Sequence, residues 1–358
     1  MSRCLSGCLP ARSNAPWPGG AKHKFGLGGR AMHVVITGGA GFIGKKLASA
    51  LLARGALDTA SGRQPIERLT LFDVTQTEGL PEDERVTSIA GDITDLAQVH
   101  QAIRDDVDGV FHLAAIVSAN AEEDFDLGMR VNLEGTRNVL EACRALPQRA
   151  RLVFASSVAV YGGDMPEVLD DGTILTPQTS YGAQKAMGEL LVGDYSRKGF
   201  VDGRALRLPT IVVRPGRPNR AASTFASSII REPLAGTDAI CPVGPEAAMY
   251  ILSPRRVVDA LIRAFELPAG AFGMTRMLTL PGITVSIGEM VDALREVAGE
   301  PVAARVKWQP DPMIQKIVAG WPTTFDARRA RAMGFEADRD FASIIRAHIE
   351  DELGGVVH

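Results

Sequence analysis

HVVITGGAGFIG, residues 33–44, decides the fold. His33 to Thr37 is a short, mostly apolar run, glycines stand at 38, 39, 41 and 44, and Lys45 to Arg54 then carries Leu47, Leu51 and Leu52 toward one side of a helix. The order is strand, tight turn, helix. Gly38 permits the turn, Gly41 leaves room for another group to approach the backbone, and Gly44 lets the helix pack on the strand. The first turn of such a helix holds unpaired N–H groups at the positive end of its dipole, a natural seat for phosphate. A glycine pattern alone is weak evidence, and its context strengthens it. A second apolar run, Leu69-Thr70-Leu71-Phe72, ends at Asp73. A carboxylate there accepts hydrogen bonds from ribose hydroxyls and repels a 2′-phosphate. No arginine follows at Val74 or Thr75. The stretch therefore predicts NAD rather than NADP as cofactor, with Gly38, Gly41, Phe42, Ile43 and Gly44 around the pyrophosphate and Asp73 at the ribose.

Strand-like segments at 86–90, 108–115, 151–160 and 204–213 alternate with helical ones at 126–144 and after Ser180. That alternation predicts an α/β chain, a Rossmann-type doubly wound parallel sheet. Past Arg214-Pro215-Gly216 the pattern loosens. A smaller, discontinuous C-terminal substrate domain is expected at 216–247 and 284–358, with residues 32–215 binding NAD and segments within about 248–283 (Tyr250 to Glu266, Arg276 to Leu280) returning to the main sheet. Ser286-x-x-Glu289 predicts a capping box that opens a helix to about Ala298. Val302 to Trp308 reads as a strand and Asp340 to Leu353 as a closing helix. Residues 1–31, rich in Gly, Pro, Ser and Arg and without helical period, read as a disordered extension ahead of Met32.

SYGAQKAMGELL, residues 180–191, places Tyr181 and Lys185 one turn apart on a helix face. An ammonium beside a phenol favours the phenolate, which predicts Tyr181 as a proton acceptor. Upstream, the apolar run Arg151 to Ala155 ends in Ser156 and Ser157, at the sheet edge where ligands of open α/β folds collect. Ser157 is the candidate to hold a substrate oxygen near Tyr181, with Ser156 as its competitor. Arg214 and Arg217, just past a strand end, suit a substrate carboxylate through the planar guanidinium fork. Ser118 and Thr210 are further donor candidates.

Together these parts resemble the extended short-chain dehydrogenase/reductase family, from about Met32 almost to the C-terminus. The glycine turn and Tyr-x-x-x-Lys specify only that superfamily. Longer strings are similar to one branch of it, dehydrogenases of four-carbon aldonates: FDLGMRVNLEGT, SYGAQKAMGELL, DYSRKGFVDGRALRLPTIVVRPG and SSIIREPLAG. The resemblance implies Ser157, Tyr181 and Lys185 as the catalytic set. It implies Asp92 and Ile93 near the adenine, Leu113, Ala114 and Ala115 along the cofactor, and Asn132 in a relay to the lysine. It also implies oxidation of a secondary alcohol of a small sugar acid and a homodimer through the Tyr181 helix and the one before it. Dehydratases of this family carry an Asp-Glu pair where Val158-Ala159 stands here, so elimination lacks its acid and base. Two alternatives remain open, an NAD-dependent sugar-nucleotide epimerase and a non-catalytic NAD-binding subunit.

Composition sets outer bounds. With 46% hydrophobic and 23% charged residues and a formal charge of −3, the chain reads as a globular protein with no electrostatic case for nucleic acid or an anionic membrane. No apolar run approaches the roughly 18 residues of a spanning helix. Its 4 cysteines, Cys4, Cys8, Cys143 and Cys241, lack metal-ligand spacing, which points to a reducing compartment and a cytoplasmic location.

Overall fold

The computed structural model describes residues 31–80, 82–216 and 223–357. Arg217 and the extension read over residues 1–31, apart from its last residue, lie outside the described residues.

The chain enters as β1 (Met32–Thr37), buried along its length, and turns into α1 (Phe42–Arg54). A hairpin of β2 (Ala56–Thr59) and β3 (Gly62–Asp73) leads to β4 (Val86–Ala90), α2 (Leu96–Ala102) and β5 (Gly109–His112). Next come α3 (Ser118–Glu123), α4 (Phe125–Gly128), a π-helical stretch (Met129–Glu134) and α5 (Gly135–Ala145). β6 (Arg151–Ser157), α6 (Ser180–Arg197) and β7 (Asp202–Leu208) complete this part. Beyond it run β8 (Thr210–Ile211), α7 (Thr224–Leu234), β9 (Ala239–Cys241), β10 (Ala248–Leu252), α8 (Pro254–Glu266) and β11 (Met277–Thr279). The rest is β12 (Ile283–Ser286), α9 (Ile287–Ala298), α10 (Glu300–Ala303), β13 (Val306–Trp308), α11 (Pro312–Ala319), α12 (Arg328–Ala332) and α13 (Phe341–Glu352).

The main sheet runs β11-β7-β6-β5-β1-β3-β2, with β4 also on β3, and every pairing is parallel except β2 with β3. Burial on both faces explains the continuous apolar reading of β1. Val34 and Ile36 enter one core with α1 and α8, while Val35, between them, enters the other with α2 and α5. From β1 the chain winds outward to β3 and β4, then returns to β5 on β1's other side. The crevice at that reversal is where ligands of this architecture bind.

A second core, built from α7, α9, α13 and β10, holds the three-stranded sheet β12-β10-β8 and the pair β13-β9. Its capping box is formed: Ser286 and Glu289 each accept the other's backbone N–H at the start of α9. Three expectations shift. β10 joins β8 and β12 rather than the main sheet, whereas β11 does return to it beside β7 and α8 packs into its core. The expected strand from Val302 is α10 followed by β13, because Glu300-Pro301 opens a helical turn after Gly299 ends α9. Ala327, Ala330 and Phe335, expected in the smaller part, pack in the core beneath α1 and α8. The last helix also reaches back: Lys46 of α1 pairs with Asp351 and Glu352 of α13, and Arg255 of α8 pairs with Asp351 and Glu350. Among the described residues no helix is long and apolar enough to cross a membrane.

Candidate functional site

The glycine turn is built as its spacing demands. Gly38 has φ +73°, and a Cβ there would lie 2.8 Å from the Ala114 nitrogen at the end of β5. A Cβ on Gly44 would lie 2.2 Å from the Gly38 carbonyl oxygen, so only glycine lets α1 sit this close to the turn. Gly41 caps α1 with no side-chain hydrogen bond, leaving the first N–H groups of α1, including those of Phe42 and Ile43, without an intrahelical partner. This uncapped, glycine-lined helix start suits a pyrophosphate. Asp73 stands beside it, its carboxylate accepting the Ala40 N–H at 3.0 Å and the Val74 N–H at 2.8 Å. It thereby ties the turn to the end of β3 while keeping further lone pairs for a ribose. Asp92 is exposed and accepts the Thr94 N–H at 2.8 Å, and Ile93 is buried against Gly135. Leu113, Ala114 and Ala115 are half-buried at the end of β5, on the same edge.

Asn132 sits on the π-helical stretch and is buried there. It clamps both backbone groups of Ile116, accepting its N–H at 2.8 Å and donating to its carbonyl at 3.1 Å. Its Nδ2 also donates to Gln184 Oε1 on α6 at 2.7 Å. The loop after β5 is thus pinned to the helix of Tyr181 and Lys185. Below it, His112 bridges Thr37 at 2.7 Å and Thr136 at 2.9 Å. Burial, with the Lys185 charge nearby, lowers this imidazole to about 3, so it is neutral.

The structure brings Ser157, Tyr181 and Lys185 together. Ser157, at the tip of β6, accepts the Ala159 N–H at 3.1 Å and lines the same cleft as Tyr181, whose phenol it draws down. Lys185 is 2% exposed, donates to the Ala155 carbonyl at 2.9 Å and lies over the rings of Phe154 and Tyr181. Burial lowers its ammonium to about 8, against an opposing pull from Glu189. The expectation that Lys185 makes the phenol acidic is not what this geometry shows. Burial pushes Tyr181 up to about 12, and the opposing influences are the Ser157 hydrogen bond and the Arg214 charge. The reason is placement: the ammonium faces the ring, not the oxygen.

Ser156 points the other way. It donates to Glu189 at 2.6 Å, and Arg207 grips the same carboxylate through Nη2 at 2.7 Å and Nε at 3.0 Å. Arg207 Nη1 also donates to the Tyr161 hydroxyl at 2.5 Å. Glu189 is wholly buried and lies one turn beyond Lys185 on α6. Sequence reasoning overlooked this network. Its signals were the Lys185-x-x-x-Glu189 spacing and an arginine inside the apolar strand β7, since buried charges must be paired.

A cleft of about 430 Å³ opens between the C-terminal edge of the main sheet and the second core. Ser118, Ser157, Tyr181, Thr210 and Arg214 all line it, facing an apolar wall of Ile317, Trp321 and Met249. Arg214 is half-buried, its guanidinium donating weakly to Ser223 Oγ at 3.5 Å, with no carboxylate partner among the described residues. Its counterpart Arg217 lies outside the described residues. Glu122 lines the cleft as well and was not anticipated.

The model of the NAD dependent epimerase/dehydratase family matches residues 34–269. D-erythronate dehydrogenase of Cupriavidus necator is 55% identical over 320 residues, covering 89% of this chain and 98% of its own. The D-erythronate dehydrogenase of Haemophilus influenzae is 44% identical over 322 residues, covering 90% of this chain and 100% of its own. Among solved structures, the nucleoside-diphosphate-sugar epimerase of Agrobacterium tumefaciens superposes with a TM-score of 0.87 at 43% identity, over 94% of this chain and 99% of that one. The uncapped glycine turn fits the nicotinamide cofactor that these relatives imply. With a sheet that reverses at β1 and a family match spanning most of that sheet, this chain belongs to the NAD dependent epimerase/dehydratase family.

Proposed function

We propose that this protein is an NAD-dependent dehydrogenase that oxidises a secondary alcohol of a small sugar acid, D-erythronate to 2-dehydro-D-erythronate. One observation carries the proposal: Ser157, Tyr181 and Arg214, a cation with no carboxylate partner among the described residues, line a single cleft beside buried Lys185. The names of the two relatives at 55% and 44% identity support the choice of substrate.

Gly38, Gly41, Phe42, Ile43 and Gly44 would hold the pyrophosphate, Asp73 the ribose hydroxyls that distinguish NAD from NADP, and Asp92 and Ile93 the adenine end. Leu113, Ala114, Ala115 and Asn132 would line the path toward Tyr181 and Lys185. When bound, the oxidised nicotinamide supplies the hydride acceptor. Arg214 binds the substrate carboxylate, and Ser118 and Thr210 take its hydroxyls. Ser157 orients the reacting oxygen, and Tyr181 accepts its proton as the C–H electron pair departs. Lys185, held against the Tyr181 ring and the Ala155 carbonyl, would steady the nicotinamide-side ribose.

The Agrobacterium likeness favours a second reading, epimerisation of a nucleotide sugar. Incubation with NAD and D-erythronate separates the two: the dehydrogenase releases NADH in proportion to substrate consumed. Recycled cofactor and an epimerised nucleotide sugar would establish the rival. We also propose a homodimer through α5 and α6, where Leu190 of α6 is 66% exposed. The free thiols of Cys143 and Cys241 support a cytoplasmic location.

A further inference from the structure

Among the described residues that line the cleft, Arg214 is the cation and Glu122 the anion; the others are apolar or bear hydroxyls, the Trp321 indole or backbone groups only. Glu122 stands on α3 one turn beyond Ser118, so both present to the same side of that helix. Its Oε2 accepts the N–H of Ser180 at 2.9 Å, which fixes the side chain at the start of α6, next to Tyr181. The other carboxylate oxygen has no partner among the described residues. Glu122 is exposed and lines the cleft, so its remaining acceptor capacity is open to a group that enters there.

We infer that Glu122 is a specificity residue that limits the cleft to substrates with one negative charge, accepting a polyol hydroxyl and rejecting a second acid group. The inference rests on the proposed reading of the cleft as a sugar-acid site. Arg214 can neutralise one carboxylate. A second carboxylate or a phosphate would face the fixed charge of Glu122, and like charges across a binding site suppress wrong partners. A hydroxyl in the same position instead donates to the free oxygen, a charge-assisted bond. One group therefore attracts the monocarboxylic polyol and repels dicarboxylic, phosphorylated and diphosphate-linked sugars. Glu122 is exposed, so the discrimination should weaken as salt screens it.

The test uses the full chain saturated with NADH. Affinities for D-erythronate and for meso-tartrate, its dicarboxylate counterpart, are measured by calorimetry in the wild type and in Glu122→Gln. Glutamine keeps the size and an acceptor for Ser180 while removing the charge. The wild type should prefer the monocarboxylate, and Glu122→Gln should shift the ratio toward tartrate by about tenfold, with a smaller shift at high salt. An unchanged ratio overturns the inference, as does a wild type that binds both acids equally or neither. Glu122→Ala serves if the glutamine variant does not fold, with the same ratio as readout. Absence of erythronate oxidation by the wild type would sink the dehydrogenase reading while leaving the affinity ratio to judge Glu122.

Discussion

The Lys185 ammonium lies over the face of the Tyr181 ring, 5.6 Å from its centroid, and spends its hydrogen bond on the Ala155 carbonyl. The phenolic oxygen is left to Ser157 and to the field of Arg214, against a burial that raises it to about 12. Burial therefore favours the neutral phenol at neutral pH. The proposed role of Tyr181 as proton acceptor requires a lower pKa than burial sets here.

Removal of the Tyr181 hydroxyl isolates that role. Tyr181→Phe should lower kcat by about 10²–10⁴-fold, the range of a general base, while cofactor affinity stays unchanged. Turnover near that of the wild type with normal cofactor binding would dismiss the assignment.

Arg214 has two effects that can be separated. Arg214→Leu should raise KM for sugar acids by about ten- to a hundredfold, as expected for a lost charge-assisted contact, and leave neutral polyols less affected. Because its charge also lowers the Tyr181 phenol, the acid limb of the activity profile should move to higher pH. Equal effects on acids and polyols, with an unmoved limb, would remove both roles.

Gly44 tests the turn. A methyl group 2.2 Å from the Gly38 carbonyl and 2.9 Å from Gly39 Cα meets backbone that cannot rotate away. Gly44→Ala should cost about 1–3 kcal/mol of stability in urea unfolding and weaken cofactor binding together. A variant of wild-type stability and affinity would show that the turn is looser than described.

Two buried histidines, His112 and His33, should contribute to the acid limit. Burial lowers His112 to about 3 and His33 to about 4, whereas an unfolded chain binds these protons near 6.5. Below pH 6.5 the unfolded state holds more protons, so stability is full above that value and falls as pH drops toward 4 and then 3. Urea midpoints across this range should show the decline, with a shallower slope in His112→Gln. An identical slope in the variant would place the acid sensitivity elsewhere.

The sheet was legible because a short-range signal dictates it: an apolar run, glycines at fixed spacing and a helix admit one arrangement. Ser157, Tyr181, Lys185 and Arg214 could be listed for the same reason, each lying at a strand end or on a helix near that sheet edge. Two things were not legible. Which face of Tyr181 the lysine meets depends on side-chain packing against Phe154 and Ala155, not on a four-residue spacing. Glu122 and the Glu189–Arg207 pair are joined across 58 and 18 residues of chain, to Ser180 and to each other. No local pattern reports such contacts. The destination of β10 was misjudged similarly, since a strand does not announce its neighbour.

The route of the chain carries a practical consequence. β8 leaves the main sheet, α8 and β11 come back to it, β12 departs again, and α13 finally fastens itself to α1 by ion pairs. The molecule is sewn, with several stitches between its two bodies, so no single scission frees either one as a folded fragment. Gene pieces encoding the main-sheet half alone would lack a strand and a helix from its own interior, and trimming the final helix would tug on the very helix that begins at the glycines.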